Sequence, residues 1–254
     1  MVTTATPAPE APSPAPVSSI GRIFGVLFSP KATFASIALA PTWILPLVLF
    51  VIVGLATSVA ISQHVGWRTV IDKQISNSAR AQKQMDSMTP EARETALNTQ
   101  AKYTPYFVYP INFLAPFLGA VVVAAILLGA FNLILGAKIG FKTSLSIVSY
   151  SWVPGLIAAL LGIAIVFLKD PSTIDVQNLV ASNPGAILSD DSPKWLVSLM
   201  SSLDLFSFWT MILMAFGYSA ADPKKLSFGK AFGTVFGVWI VYVVIKVGWV
   251  AAFS

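Results

Sequence analysis

Asp204 and Lys246 stand out chemically, because each is an ionisable side chain set inside a long apolar stretch. A charge at membrane depth is costly and normally pairs with an opposite charge or lines a polar cavity. Asp204 also shares a stripe with Ser201, Ser207 and Thr210 at three-residue spacing, which on a helix makes one polar face. Such a face either lines an ion or solute path or supplies hydrogen bonds between helices. Other kinds of chemistry find little material. The chain has no cysteine, hence no thiol nucleophile, disulfide or cysteine-based zinc site. Its one histidine, His64, is the lone candidate for general acid–base work and reads as interfacial. Asp190 and Asp191 are adjacent loop carboxylates and read as solvated. Walker A, GxSxG, HExxH, GxGxxG and EF-hand patterns are absent, so no cofactor or metal is expected and the chain reads as non-enzymatic.

The elements that must position these residues follow from composition. Of 254 residues, 56% are hydrophobic and only 11% charged, with a mean hydropathy of +0.76. A soluble domain carries about 25% charged residues. So few charges cannot clothe a globular surface in water, and the chain reads as an integral membrane protein. The net charge of +5 comes without a basic cluster of the kind that binds nucleic acid, so loop lysines and arginines are assigned to topology and lipid headgroups.

Five stretches reach spanning length, about 20 residues at 1.5 Å each. They lie near 43–62, 111–135, 144–168, 195–216 and 231–252, which predicts an all-α bundle of five transmembrane helices over residues 41–254. Pro154 predicts a kink in the third, just after Ser149, Tyr150, Ser151 and Trp152. The fifth opens with Gly229, Gly233 and Gly237, a spacing that lets another backbone approach closely. That groove serves packing inside the bundle or self-association into a homo-oligomer. Counting residues inward puts Asp204 about 13 Å and Lys246 about 9 Å below one common surface. The match in depth on consecutive antiparallel helices predicts an ion pair. The competing expectation is that Lys246 reaches outward while Asp204 bonds local hydroxyls.

The remaining segments are interfacial or aqueous. Residues 1–17 are rich in Pro, Ala and Thr and read as a disordered tail. Over 18–40, Ile20, Ile23, Phe24, Leu27 and Phe28 recur at helical spacing, with Arg22 elsewhere on the helix. Ser29-Pro30 then restarts a helix carrying Phe34 and Ile37. Too short to span, this segment is expected as an amphipathic helix at the membrane surface or as a short helix packed on the bundle. The loop 64–110 reads as a solvated helical hairpin, with Thr89-Pro90-Glu91 opening its second short helix. Short loops two and four carry five lysines, namely Lys138, Lys142, Lys224, Lys225 and Lys230, against Lys169 and Lys194 in loop three. That bias predicts a cytoplasmic N-terminus and a C-terminus outside.

Several segments in order resemble one family. Phe28-Ser-Pro-Lys-Ala-Thr-Phe34 followed by Pro41-Thr-Trp-Ile-Leu-Pro-Leu47 resembles the opening of a Yip domain (Ypt/Rab-GTPase-interacting protein), in its bacterial branch. Ser149-Tyr-Ser-Trp-Val-Pro154 resembles the family's central motif, and Leu203-Asp-Leu-Phe-Ser-Phe-Trp209 with Gly217 its fourth-span motif. Lys225-Leu-Ser-Phe-Gly-Lys230 fits the loop that follows. The resemblance implies a five-span bundle with a cytoplasmic N-terminus, and a cell inner membrane for the bacterial branch. It also implies kinship with eukaryotic proteins that bind Rab-type GTPases and shape membranes. Two functional expectations stand beside each other. One is a scaffold that recruits protein partners or lipids through its N-terminal helix. The other is a small transporter or channel for an ion, solute or lipid, using the stripe around Asp204.

Overall fold

A computed structural model describes residues 18–189 and 191–253, so the expected tail at 1–17 and Asp190 lie outside the described residues. Among the described residues the regular structure is entirely helical. Ser18 accepts from Gly21 N and starts α1 (Ser19–Phe28). Pro30 then opens α2 (Pro30–Leu39). Next come α3 (Ile44–His64), α4 (Trp67–Ser76) and α5 (Ala79–Asp86). Thr89 caps Ala92 N at 3.3 Å, with Pro90 in the first turn, and begins α6 (Pro90–Gly129). A short π-helical turn, Ala130–Ile134, ends it. The chain continues through α7 (Phe141–Ser151), α8 (Val153–Leu168), α9 (Lys194–Ser202), α10 (Leu205–Ala221) and α11 (Phe228–Phe253).

One feature differs from the sequence reading of loop 64–110. Its second helix is not separate, because α6 runs unbroken from the aqueous loop into the membrane for 40 residues. It does so through Pro105, Pro110 and Pro116. Each proline frees a backbone carbonyl, which an isolated helix in water would not tolerate but a membrane helix flanked by neighbours does. The stretch that carries Pro154 is interrupted just before it. The helix ends at Ser151 and restarts at Val153, with Pro154 in the first turn of α8, where a missing N–H costs nothing.

Four helical stretches are long and apolar enough to cross a bilayer, and α9 with α10 make a fifth if that bent pair is one span. Inside the bundle, α2 packs along α10, α10 along α11, α3 along α8, and α6 along α7. Helix α7 is the most enclosed, with every residue from Ser144 to Ser151 buried. Three of its four buried serines are bonded there, Ser151 Oγ alone lacking a partner: Ser146 donates to Lys142 O and Ser149 to Leu145 O, both at 2.7 Å. Ser144 Oγ donates to Ala124 O at 2.9 Å, leaving the Tyr218 hydroxyl to donate to it at 2.6 Å. The Tyr218 ring stacks on Phe131 with centroids 4.1 Å apart. Gly217 lets α10 approach α7 and α2, since a Cβ there would collide with Ile147 and stand 3.1 Å from Phe34.

The loops sort to two ends. Lys138 N donates to Asp222 Oδ2 at 3.3 Å, and Lys225 Nζ reaches Gly136 O, joining loops 135–140 and 222–227. At the other end, Lys73 Nζ of α4 donates to Ile174 O at 2.7 Å. Ile174 packs there with Ile61, Val65 and Val166. Large apolar side chains such as Ile52, Phe107, Ile111, Leu118, Leu160 and Ile245 stand exposed around the outside, as a lipid-facing belt requires.

Candidate functional site at the α9–α10 break

The two intramembrane charges converge on one place, the break between α9 and α10, where the axis turns by 45°. Leu203 leaves helical geometry (φ −83°, ψ 52°), and Asp204 is extended (φ −88°, ψ 136°). Asp204 is the N-cap of α10. Its Oδ1 accepts from Ser207 N at 3.0 Å and from Ser207 Oγ at 3.3 Å. Its Oδ2 accepts from Ser182 Oγ. An anionic cap at a helix N-terminus is favourable, because free N–H groups and the helix dipole both point at it. The loop before α9 supplies a further partner, Leu205 N donating to Ser182 O at 3.1 Å. Backbone groups opened by the break are thereby re-bonded inside the membrane domain.

Lys246 does not pair with Asp204. The ion pairs among the described residues are Arg68–Asp72, Arg68–Glu94 and Arg93–Asp86, all in the loop 64–110. Lys246 Nζ instead donates to Ser202 Oγ at 3.1 Å, and Ser202 in turn donates to Ser198 O at 2.8 Å. The expected ion pair is therefore replaced by two separate sets of bonds. The reason is local: Asp204 is turned towards the amides of its own helix and the Ser182 hydroxyl, which already fill its oxygens. The polar stripe divides at the same point. Ser201 lies on α9 against Gly185, Asp204 and Ser207 meet at the cap, and half-buried Thr210 follows one turn along α10. His64 lies at the end of α3 with its ring 5.5 Å from that of Phe167.

Arg22 is a residue whose role the sequence reading missed. It is only 4% exposed, which places its helix on the bundle, the second of the two positions open to this segment. Its Nη1 donates to Ala40 O at 2.7 Å and Thr42 Oγ1 at 3.0 Å, and Nη2 to Ser36 O at 3.2 Å. Those carbonyls are the C-terminal end of α2, where a cation complements the dipole. Tyr150 OH lies 3.3 Å from Thr42 Oγ1 and extends the network to α7. The signal was a lone arginine among apolar residues, which marks an inward position when the apolar residues face lipid. That is the arrangement found: Arg22 and Val26 are buried, while Ile20, Phe24 and Phe28 stand exposed. Phe34 and Ile37 of α2 are fully buried in the main core, so α2 is an integral part of the bundle.

The glycines of α11 point outward. Gly229, Gly233 and Gly237 are exposed, and a Cβ at any of them would meet nothing within 4 Å. The bundle packs against the other side of α11, where Phe232, Phe236 and Trp239 continue the core. Packing inside the bundle therefore does not account for these glycines.

Groups of three or more His, Cys, Asp or Glu able to hold a metal are absent among the described residues. No curated protein and no solved structure matches the chain. A family model does: the Yip1 domain aligns with residues 24–250, nearly the whole helical bundle, and the chain belongs to the Yip1 domain family.

Proposed function

We propose that this chain is a non-enzymatic scaffold of the bilayer, recruiting protein partners or lipids through the outer face of α1. The observation that carries this reading is the two-sidedness of α1. Arg22 and Val26 anchor it to the bundle, and Ile20, Phe24 and Phe28 remain exposed at 65%, 60% and 82%. A helix fixed on one side and apolar on the other presents its second side to the membrane interface or to whatever docks there. The family supports protein interaction as the general role.

In this reading α9 and α10 form one bent span, the N-terminal helices lie at the cytoplasmic surface, and the C-terminus lies outside, in a bacterial inner membrane. The lysines of loops 135–140 and 222–227, at the same end as one another, support that orientation. The outward glycines of α11 make it the seam for a second copy of the chain.

Replacing Ile20, Phe24 and Phe28 together by Ser tests the recruiting role without touching a buried residue. Pull-downs from native membranes should lose the partners or lipids that the wild type retains, at equal folded yield. An unchanged set would sink the scaffold. The transport reading is tested in proteoliposomes: ion, solute or lipid movement abolished by Asp204→Asn would replace the scaffold with a transporter.

A further inference from the structure

A cavity of about 390 Å³ lies among α3, α4, α6, α8 and residues 176–179. That volume is within the range of small-molecule sites, about 300–1,000 Å³. Its wall is mainly apolar, and the polar groups on it are almost all spent. Thr57 Oγ1 donates to Val53 O at 2.9 Å. Ser58 Oγ donates to Gly54 O at 3.0 Å and accepts from Asn112 Nδ2 at 2.7 Å. The buried exception is Trp67, whose Nε1 has no partner. A buried N–H without an acceptor is costly and implies one that arrives from outside the chain. A water would need two to four polar partners, and on this wall Thr57 and Ser58 have already spent their hydroxyl protons on α3 carbonyls, while the Asn112 carbonyl sits beside Gly54.

Position narrows the class of occupant. Gly54 is at the middle of α3 and Trp67 lies just past its end, an axial separation of about 15–20 Å. The cavity thus runs from mid-bilayer to the interface, where tryptophans concentrate and lipid ester groups lie. Phe107 and Ile111, next to the cavity residues Val108 and Asn112 on α6, are exposed at 69% and 62%, so its edge meets lipid. Gly54 contributes no side chain, and a Cβ there would still stand 3.5 Å from Asn112 Oδ1.

We propose that this cavity holds one acyl chain of a membrane phospholipid, its terminal methyl towards Gly54 and its ester carbonyl accepting from Trp67 Nε1. The site is separate from α1 and from the α9–α10 break, and stands whatever their roles.

The test uses the full chain purified in detergent and read by native mass spectrometry, loaded with diacyl phosphatidylcholine or with its dialkyl ether analogue, which lacks the carbonyl. The wild type should retain one diacyl lipid per chain. Trp67→Phe, which removes only the N–H donor from an aromatic side chain, should retain about five-fold less, the ratio a hydrogen bond of ordinary net strength supplies. For the ether lipid the two proteins should be alike. Ala159→Leu, narrowing the cavity, should retain neither lipid while its unfolding midpoint stays near wild type. Equal diacyl retention by wild type and Trp67→Phe would overturn the proposal, as would equal losses of both lipids in that variant. A folded Ala159→Leu protein that keeps its lipid would also overturn it. Should Ala159→Leu fail to fold, the ester-against-ether comparison decides alone.

Discussion

Lys246 donates to Ser202, two residues ahead of the Asp204 carboxylate that lies within reach by sequence depth but faces another way. The two charges attend to opposite sides of one helix break. Lys246 holds the end of α9 and Asp204 starts α10. Removing the Asp204 side chain should therefore cost what an N-cap costs, about 1–2 kcal/mol for Asp204→Ala. Asp204→Asn, which can still accept from Ser207 N, should cost less. A directly paired, buried charge would lose about 3–5 kcal/mol when either partner is neutralised. Unfolding titrations in mixed micelles measure these differences. A coupling energy between Asp204→Asn and Lys246→Met above about 1 kcal/mol in a double-mutant cycle would restore the ion pair.

Arg22 tests how firmly the N-terminal helices belong to the bundle. Arg22→Ala leaves the α2 carbonyls without their charged donor and should destabilise by about 2–3 kcal/mol. Arg22→Lys should recover only part of that loss, since one ammonium cannot reproduce a fork that reaches Ser36 O, Ala40 O and Thr42 Oγ1 together. Thermal unfolding of the purified variants gives the order. Equal stability of all three proteins would refute the anchoring role.

Two glycines predict opposite outcomes for a similar change. Gly217→Ala places a Cβ against Ile147 and Phe34 and should cost about 1–3 kcal/mol through overpacking. Gly233→Leu meets open space, so the folded monomer should be unaffected. In membranes, crosslinking between copies through α11 should fall several-fold for Gly233→Leu. Undiminished crosslinking would remove α11 from the oligomer seam.

Acid should loosen the aqueous clasp between α4 and α6. The Glu94 carboxyl is held below the usual range by hydrogen bonds from Arg68, then by the charge of that guanidinium and a further bond from Asn98. A depressed folded pKa means the contribution is present above the ordinary glutamate value of about 4.3. It is lost as pH falls through the lower folded value. Amide exchange in residues 67–76 should therefore speed up between neutral pH and pH of about 3, beyond the intrinsic change. In Glu94→Gln that extra acceleration should vanish.

Much of this architecture is legible in residue order. Ser29-Pro30 and Thr89-Pro90-Glu91 mark helix starts that the fold keeps, and the five apolar stretches become helix, the fourth with a break at Leu203 and Asp204. The parts that were not legible share a cause, which is that lipid changes the meaning of familiar signals. Pro105, Pro110 and Pro116 suggest boundaries by the rules for water, yet α6 passes through them. The apolar row with Ile20, Phe24 and Phe28 does not say whether lipid or bundle meets it; these three point outward, and Arg22 is what the bundle encloses. Asp204 suggests a partner of opposite charge, because nothing in its immediate neighbours announces that the helix will stop at Leu203 and need a cap. Which way the α11 glycines face is equally silent in sequence, since periodicity names a face without saying what stands opposite.

The 40 residues of α6 have one further mechanical meaning. At 1.5 Å per residue the rod is about 60 Å long, twice the hydrocarbon thickness. Its far end, capped by Thr89, is a lever arm whose fulcrum sits among α3 and α7. A rocking of about 5° at mid-bilayer carries Pro90 sideways by about 4 Å. Small strains of the lipid are thereby written large on the aqueous side, and a load on that tip is felt at the centre of the bundle.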